Sequence, residues 1–397
     1  MTVLLTQLFG MIGGTLMALA VLPVAAKSPW QKAAALLDGL IKTNDSGLAV
    51  LVAQDGEILF EKGYGLADRE HDIAVTAQTT FRIGSITKQF TASAVLKLQE
   101  EGKLSVNDKL SKYIPDFPRG DEVSLRHLLT HTSGIHNYTD EPDFVSRVTN
   151  ATTTEAIIEE IKNDSFDFDP GTKWRYDNSG YLLLGYIVEK VSGQSYGDFL
   201  HKNFFQPLGM TNTGVYRAHP GLPNEALGYS LGRSASTWIF WGEGFCLGNR
   251  RFEKALNWNM SWAGGAGALY STVEDLDRWN EGVFNGRVLD AASLKAAFTP
   301  VKMPFWERTA FAIAFNERGI GYGFGWLVSR RRGLQEISHS GGLHGFKSCL
   351  LRVPDEKFTV VVLANALPGR WKADPDRLAR KLVDIYLRRQ ARAPANR

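Results

Sequence analysis

Phe81-Arg82-Ile83-Gly84-Ser85-Ile86-Thr87-Lys88 is the stretch from which the rest of the chain can be read. The apolar residues Phe90, Ala94, Val95 and Leu98 follow at helical spacing, so Ser85 falls in the first turn of a helix and Lys88 one turn on, on the same face. A serine hydroxyl is a weak nucleophile near neutral pH and needs a base within reach. A lysine buried beside it can take or orient the hydroxyl proton. The start of a helix adds unpaired N–H groups and positive potential where an oxyanion would develop. Ser-x-x-Lys by itself is common on solvated helices. This one differs in the glycine before the serine and in the apolar residues around it.

The 397 residues are enough for a two-lobed molecule. Hydrophobic residues make up 44% and charged residues 22%, and the net charge of +3 carries no polyanion signature, so nucleic acid is not an expected partner. Thr2 to Ala26 holds no charged side chain and closes on Val24-Ala25-Ala26 before Lys27, which fits a signal peptide cleaved after Ala26. Gly10, Gly13, Gly14 and Pro23 make a poor spanning helix, which favours a periplasmic or secreted protein. No Lys or Arg precedes the apolar run, so an uncleaved anchor, with inner-membrane association, is the alternative. Cys246 and Cys349 form neither a disulfide framework nor a metal spacing.

Outward from the serine, Trp30–Lys42 reads as a helix, and Leu48–Gln54 and Glu57–Tyr64 as strands joined by Asp55-Gly56, a strong hairpin pair. The Ser85 helix ends near Glu101-Gly102, and Val123–Thr130 is a short helix. His127 and His131 stand four apart there, but Leu128 occupies the place a zinc hydrolase gives to glutamate, so a packing or capping role is expected and no metal. Asp164, Asp167 and Asp169 lack the glycine and closing glutamate of a calcium loop. Gly193-Gln194-Ser195-Tyr196-Gly197 matches the Gly-x-Ser-x-Gly elbow, yet the helix Tyr181–Val191 precedes it where a strand is required. Ser195 is therefore expected to cap the next helix. Ser271 and Glu274 read as a capping box. The aromatic, glycine-rich Ser230–Asn259 and the segment Met303–Ile320 suit pocket walls. Tyr322–Val328, Glu336–Ser338, Phe346–Val353 and Phe358–Ala364 read as strands, and Asp376–Arg389 as a closing amphipathic helix. Strands at both ends with helices between predict an α+β fold in which the two ends share one antiparallel sheet.

Two further polar clusters stand out. Tyr176 and Asn178 sit two apart in a loop before a helix, and His339-Ser340-Gly341-Gly342 begins where a strand is expected, its glycines allowing close backbone approach. The ordered set Ser-x-x-Lys, Tyr-x-Asn and His-Ser-Gly resembles the penicillin-recognising serine hydrolases, in the branch of class C β-lactamases, D-alanyl-D-alanine carboxypeptidases and related esterases. The resemblance runs from about Gly47 to Ala364 and takes in Ile73–Lys88, Leu125–Gly134, Phe205–Thr213 and Ala263–Asp275.

That resemblance implies a β-lactamase/transpeptidase-like domain over 27–390, with a sheet lobe from about 27–80 and 320–390, a mainly helical lobe over about 81–319, and a tail at 391–397. It implies an acyl-enzyme on Ser85, with proton traffic shared by Lys88 and Tyr176, which of the two is the acylation base being left open. Phenol and ammonium would both need lowered pKa values. Asn178, His339, Ser340 and Gly341 would bind substrate, and the N–H groups of Ser85 and Gly342 would form the oxyanion hole. No cofactor is implied. His339 stands where β-lactamases keep a lysine; its charge, changing across the neutral range, would then govern anionic substrates, and if it does not, Arg352 is the alternative carboxylate partner. Efficient β-lactamase action is thereby less expected than peptide or ester hydrolysis on a small-molecule or peptide substrate. A penicillin-binding sensor with slow deacylation is the competing reading.

Overall fold

Leu48–Gln54 (β1) reads Leu-Ala-Val-Leu-Val-Ala-Gln, too uniformly apolar for a strand with one face in water, and it lies inside the sheet. In the computed structural model, which describes residues 29–216, 221–231, 245–246, 252–306, 318–367 and 369–390, it pairs on one side with Glu57–Tyr64 (β2) and on the other with a strand more than 300 residues away. The remaining strands are Val301–Lys302 (β3), Arg318–Tyr322 (β4), Leu327–Arg331 (β5), Leu334–Leu343 (β6), Phe346–Val353 (β7) and Phe358–Ala364 (β8). Their order across the sheet is β3-β4-β5-β6-β7-β8-β1-β2, antiparallel throughout. Both ends of the chain thus meet in one sheet, as the sequence predicts.

The period-2 alternation of the central strands sorts two cores. Ala49, Leu51, Leu350, Val361 and Leu363 share a core with the helices of the middle of the chain, among them Thr87–Glu100 (α2) and Val273–Phe284 (α5), the latter packed on β1 and β8. Leu48, Val50, Val52, Leu351, Val360 and Val362 face the terminal helices Pro29–Asp38 (α1) and Pro375–Gln390 (α6), through Trp30, Leu37, Leu378, Leu382 and Tyr386. Asn365, fully buried at the end of β8, ties the pieces together. Its Oδ1 accepts from Gly47 N–H at 2.6 Å, and its Nδ2 donates to the carbonyls of Leu66, Ala67 and Leu227 at 2.9–3.0 Å.

Several local readings move. Tyr322–Val328 is two strands, because Gly323 and Gly325 (φ +85°) turn the chain and Gly323 N–H reaches the Trp326 carbonyl at 2.7 Å. β6 runs five residues past Ser338, through His339 to Leu343. The cap of α5 is Thr272, accepting from Asp275 N–H, not Ser271 with Glu274. Ser271 Oγ pairs with Thr213 instead. Leu125–Leu129 (α3) is shorter than expected and begins with a capping box of Ser124 and His127, so His127 caps. Ser195 caps Tyr196–Leu200 (α4), accepting from Asp198 N–H while its Oγ donates to the Asp198 carboxylate. Cys349 is a free buried thiol. Residues 1–26 and 391–397 lie outside the described residues.

Candidate active site

Ser85 sits in a tight 3-10 turn, Gly84–Ile86, that runs into α2. Gly84 takes the left-handed φ of +53°, and a Cβ on it would lie 2.9 Å from Gly342 N. A Cβ on Gly341 would lie 1.9 Å from the Ile83 carbonyl oxygen. Glycine is needed at both places, since any side chain would push β6 off the serine turn. Ser348 on β7 fixes the contact by donating its hydroxyl to the Ile83 carbonyl at 2.7 Å. The sequence brings Ser85 and the Gly341-Gly342 backbone together only through this strand-to-turn packing.

Lys88 is fully buried. Its Nζ donates to Ser85 Oγ at 3.1 Å, to Asn178 Oδ1 at 2.8 Å and to the Ala266 carbonyl at 2.8 Å. Burial pulls its pKa down to about 7, against a smaller opposing pull from Asp177. Two of its three partners are pure acceptors. A neutral amine would give both its N–H groups to Asn178 and Ala266 and present its lone pair to the serine hydroxyl. Asn178 is oriented for this by its Nδ2, which donates to Thr139 Oγ1 at 3.0 Å. Its amide is thus engaged by the protein at both ends, with one N–H and one lone pair left for a ligand.

Tyr176 is hydrogen-bonded to the Ser85 hydroxyl, with Lys88 Nζ over its ring, 4.8 Å from the centroid. Here the expected lowering of both pKa values holds for the ammonium only. Burial raises the phenol's pKa above its ordinary value, so Tyr176 stays protonated. His339 also departs from expectation. It is almost wholly buried, its Nδ1 donates to the Ser340 carbonyl at 2.6 Å and its Nε2 accepts from Tyr322 at 2.9 Å. Burial first, and the neighbouring Lys88 second, hold its pKa at about 3, so it does not change charge across the neutral range. Arg352 is buried against Glu281 and Thr359 and does not line the cleft.

The cleft has a volume of ≈ 590 Å³. Ser85, Tyr176, Asn178, His339, Ser340 and Gly342 all line it, joined by Trp258 from the aromatic segment; Trp238, Phe240 and Trp241 lie outside the described residues. Asp140, Glu141 and Arg175 give its wall charge, and Arg175 is held by Asp140 at 2.9 Å and Asp167 at 2.6 Å. Among the described residues no group of His, Cys, Asp and Glu could hold a metal. Sequence reasoning missed Tyr322, Ser348, His131 and the Ala266 carbonyl. Only His131 had a signal, its place beside Thr132-Ser133-Gly134 at a helix end.

The family described as Beta-lactamase matches residues 34–384. The chain belongs to the beta-lactamase family. Among its relatives, Penicillin-binding protein 4* of Bacillus subtilis (strain 168) is 31% identical over 323 residues, covering 80% of this chain and 67% of that protein. Of solved structures, the octameric penicillin-binding protein homologue from Pyrococcus abyssi superposes with a TM-score of 0.74 at 27% identity, over 90% of this chain and 76% of that one. A D-stereospecific amidohydrolase from Streptomyces sp. gives 0.69 at 25%, over 85% and 94%. In this beta-lactamase-family chain, the turn at Ser85, the loop at Tyr176 and the strand at His339 converge on one cleft.

Proposed function

We propose that the protein is a serine acyl hydrolase that passes through a covalent acyl-enzyme on Ser85. The observation that carries this reading is the buried Lys88 amine, 3.1 Å from Ser85 Oγ with a pKa of about 7. Lys88 is then the acylation base. It takes the Ser85 proton as Oγ bonds to the acyl carbon, and the oxyanion settles against the N–H groups of Ser85 and Gly342. The Tyr176 phenol gives its proton to the leaving group and regains one from the Lys88 ammonium. Water then attacks the ester by the reverse relay, freeing the acid and restoring the Ser85 hydroxyl. One oxyanion donor is worth about 3 kcal/mol of transition-state stabilisation.

D-amino-acid peptides, amides and esters are the favoured substrates, supported by the likeness to penicillin-binding proteins and to a D-stereospecific amidohydrolase. His339 supplies no positive charge, and Arg175 is already paired, so carboxylate capture of the kind a lysine gives is weak among the described residues. Efficient β-lactam hydrolysis is therefore disfavoured. The apolar segment 1–26 supports export, with a mature chain beginning at Lys27.

Fluorophosphonate labelling followed by intact-mass analysis and peptide mapping tests the reading. One adduct on Ser85 is expected. An adduct on Ser195, or none, would sink it. Turnover of short aryl esters and D-alanyl-D-alanine peptides beside a chromogenic cephalosporin ranks the substrates, and a stable adduct without turnover would point to the sensor instead.

A further inference from the structure

His131 takes no part in the relay just described, yet it is wholly buried against the residue that does. It ends α3 with a left-handed φ of +59°, a conformation that asparagine tolerates and most side chains avoid. The turn brings both its carbonyl and its ring to the 174–178 loop, a stretch that is neither helix nor strand. Its carbonyl accepts from Arg175 N–H at 3.0 Å, and its Nδ1 accepts from Asp177 N–H at 3.3 Å. The residues immediately before and after Tyr176 are therefore both held by one histidine.

The ring completes the grip. Its centroid lies 4.3 Å from that of Tyr176 and 4.5 Å from that of Tyr322, the tyrosine bonded to His339. Nδ1 also lies 3.5 Å from the Asp177 carboxylate, while Nε2 is buried with no hydrogen-bond partner among the described residues. An unpaired buried polar atom typically costs about 1–3 kcal/mol, which an apolar residue of similar size would avoid. Packing alone does not account for an imidazole here.

We propose that His131 is a positioning residue for Tyr176, gripping the backbone on both sides of it while its ring sets the phenol against Ser85. This rests on the serine-hydrolase reading above. His131→Asn keeps the left-handed turn and returns an amide near the Nδ1 position. His131→Gln and His131→Leu do not return that acceptor.

The experiment compares Ser85 labelling by a fluorophosphonate, ester kcat and KM, and Tm across the three variants, alone and combined with Tyr176→Phe. The Gln and Leu variants are expected to lose about a hundredfold in labelling rate and kcat, the scale of a 1 Å misplacement. KM and the acid limb near pH 7 should hardly move, and His131→Asn should recover most of the loss. In the Tyr176→Phe background the same substitutions should cost little more. If they cost their full amount there, or if folded His131→Gln reacts like the wild type, the proposal fails. The Asn and Gln pair decides the matter if His131→Leu does not fold. Wild-type protein that takes no label at Ser85 would bring down the hydrolase reading itself; labelled wild type with indifferent His131 variants would bring down the positioning role only.

Discussion

At the scale of single residues, the site works by denying charge to groups that carry it in water. Lys88 is the decisive case. With its pKa lowered to about 7, it is a free base above neutrality and a spent one below. Acylation of Ser85 is expected to rise about tenfold per pH unit up to 7 and level off above it, measured as labelling rate against pH. A limb near 10 would mean that the amine is solvated. Lys88→Ala and Tyr176→Phe should each cost roughly two to four orders of magnitude in that rate, far more than their effect on stability explains. Near-normal turnover by either folded variant would remove it from the relay. His339 gives the opposite expectation to the one its sequence position suggests. A ring whose pKa is held at about 3 takes up a proton only near pH 3. The ratio of KM for a carboxylate-bearing substrate to KM for a neutral ester should therefore follow the same course from pH 8 to pH 5 in the wild type and in His339→Gln. A turn near 6.5 that His339→Gln abolishes would show an imidazole open to water.

At the scale of elements, function depends on a strand lying against a turn, and glycines make that possible. Gly341→Ala would set a methyl 1.9 Å from the Ile83 oxygen and 2.4 Å from Ser348 Oγ. Overpacking of this kind costs about 1–3 kcal/mol, and the displaced strand should slow Ser85 labelling more than the loss of stability alone explains. Unchanged labelling would mean that the Gly341-Gly342 backbone does not serve the serine. This scale also separates what the sequence tells from what it does not. Ser85, Lys88, Tyr176 and Asn178 are legible because short fixed spacings carry their chemistry. The helix caps at Ser195 and His127 are legible too, since capping is local. The Ala266 carbonyl has no side-chain signature at all. Tyr322 and Ser348 look like ordinary strand residues until registry places them, and the split of Tyr322–Val328 hinges on two glycines that a strand reading passes over. The pKa values are the furthest from view, because burial depends on every neighbour together.

At the scale of the molecule, Asn365 joins the first strands, the last strand and the Leu227 segment, its side chain adding four bonds to those of its backbone with Gly47 and Tyr229. Asn365→Ala would remove four hydrogen bonds from that junction, and a loss of about 1–3 kcal/mol is expected, read as a lower urea midpoint with an unchanged slope. A midpoint that stays put would mean water or neighbours replace the amide. The register of the sheet has a further consequence, one of timing. β1 needs β8 at its flank, and the Ser85 turn rests on Gly341 and Gly342. A ribosome adding ~5–20 residues per second leaves roughly 10 to 50 s between the emergence of Ser85 and that of the strand packed against its turn. Through that interval the nascent chain owns a serine but not an active site. A chain arrested before Leu334 should take no fluorophosphonate label, and reactivity should appear late and all at once, as a property of the finished polypeptide.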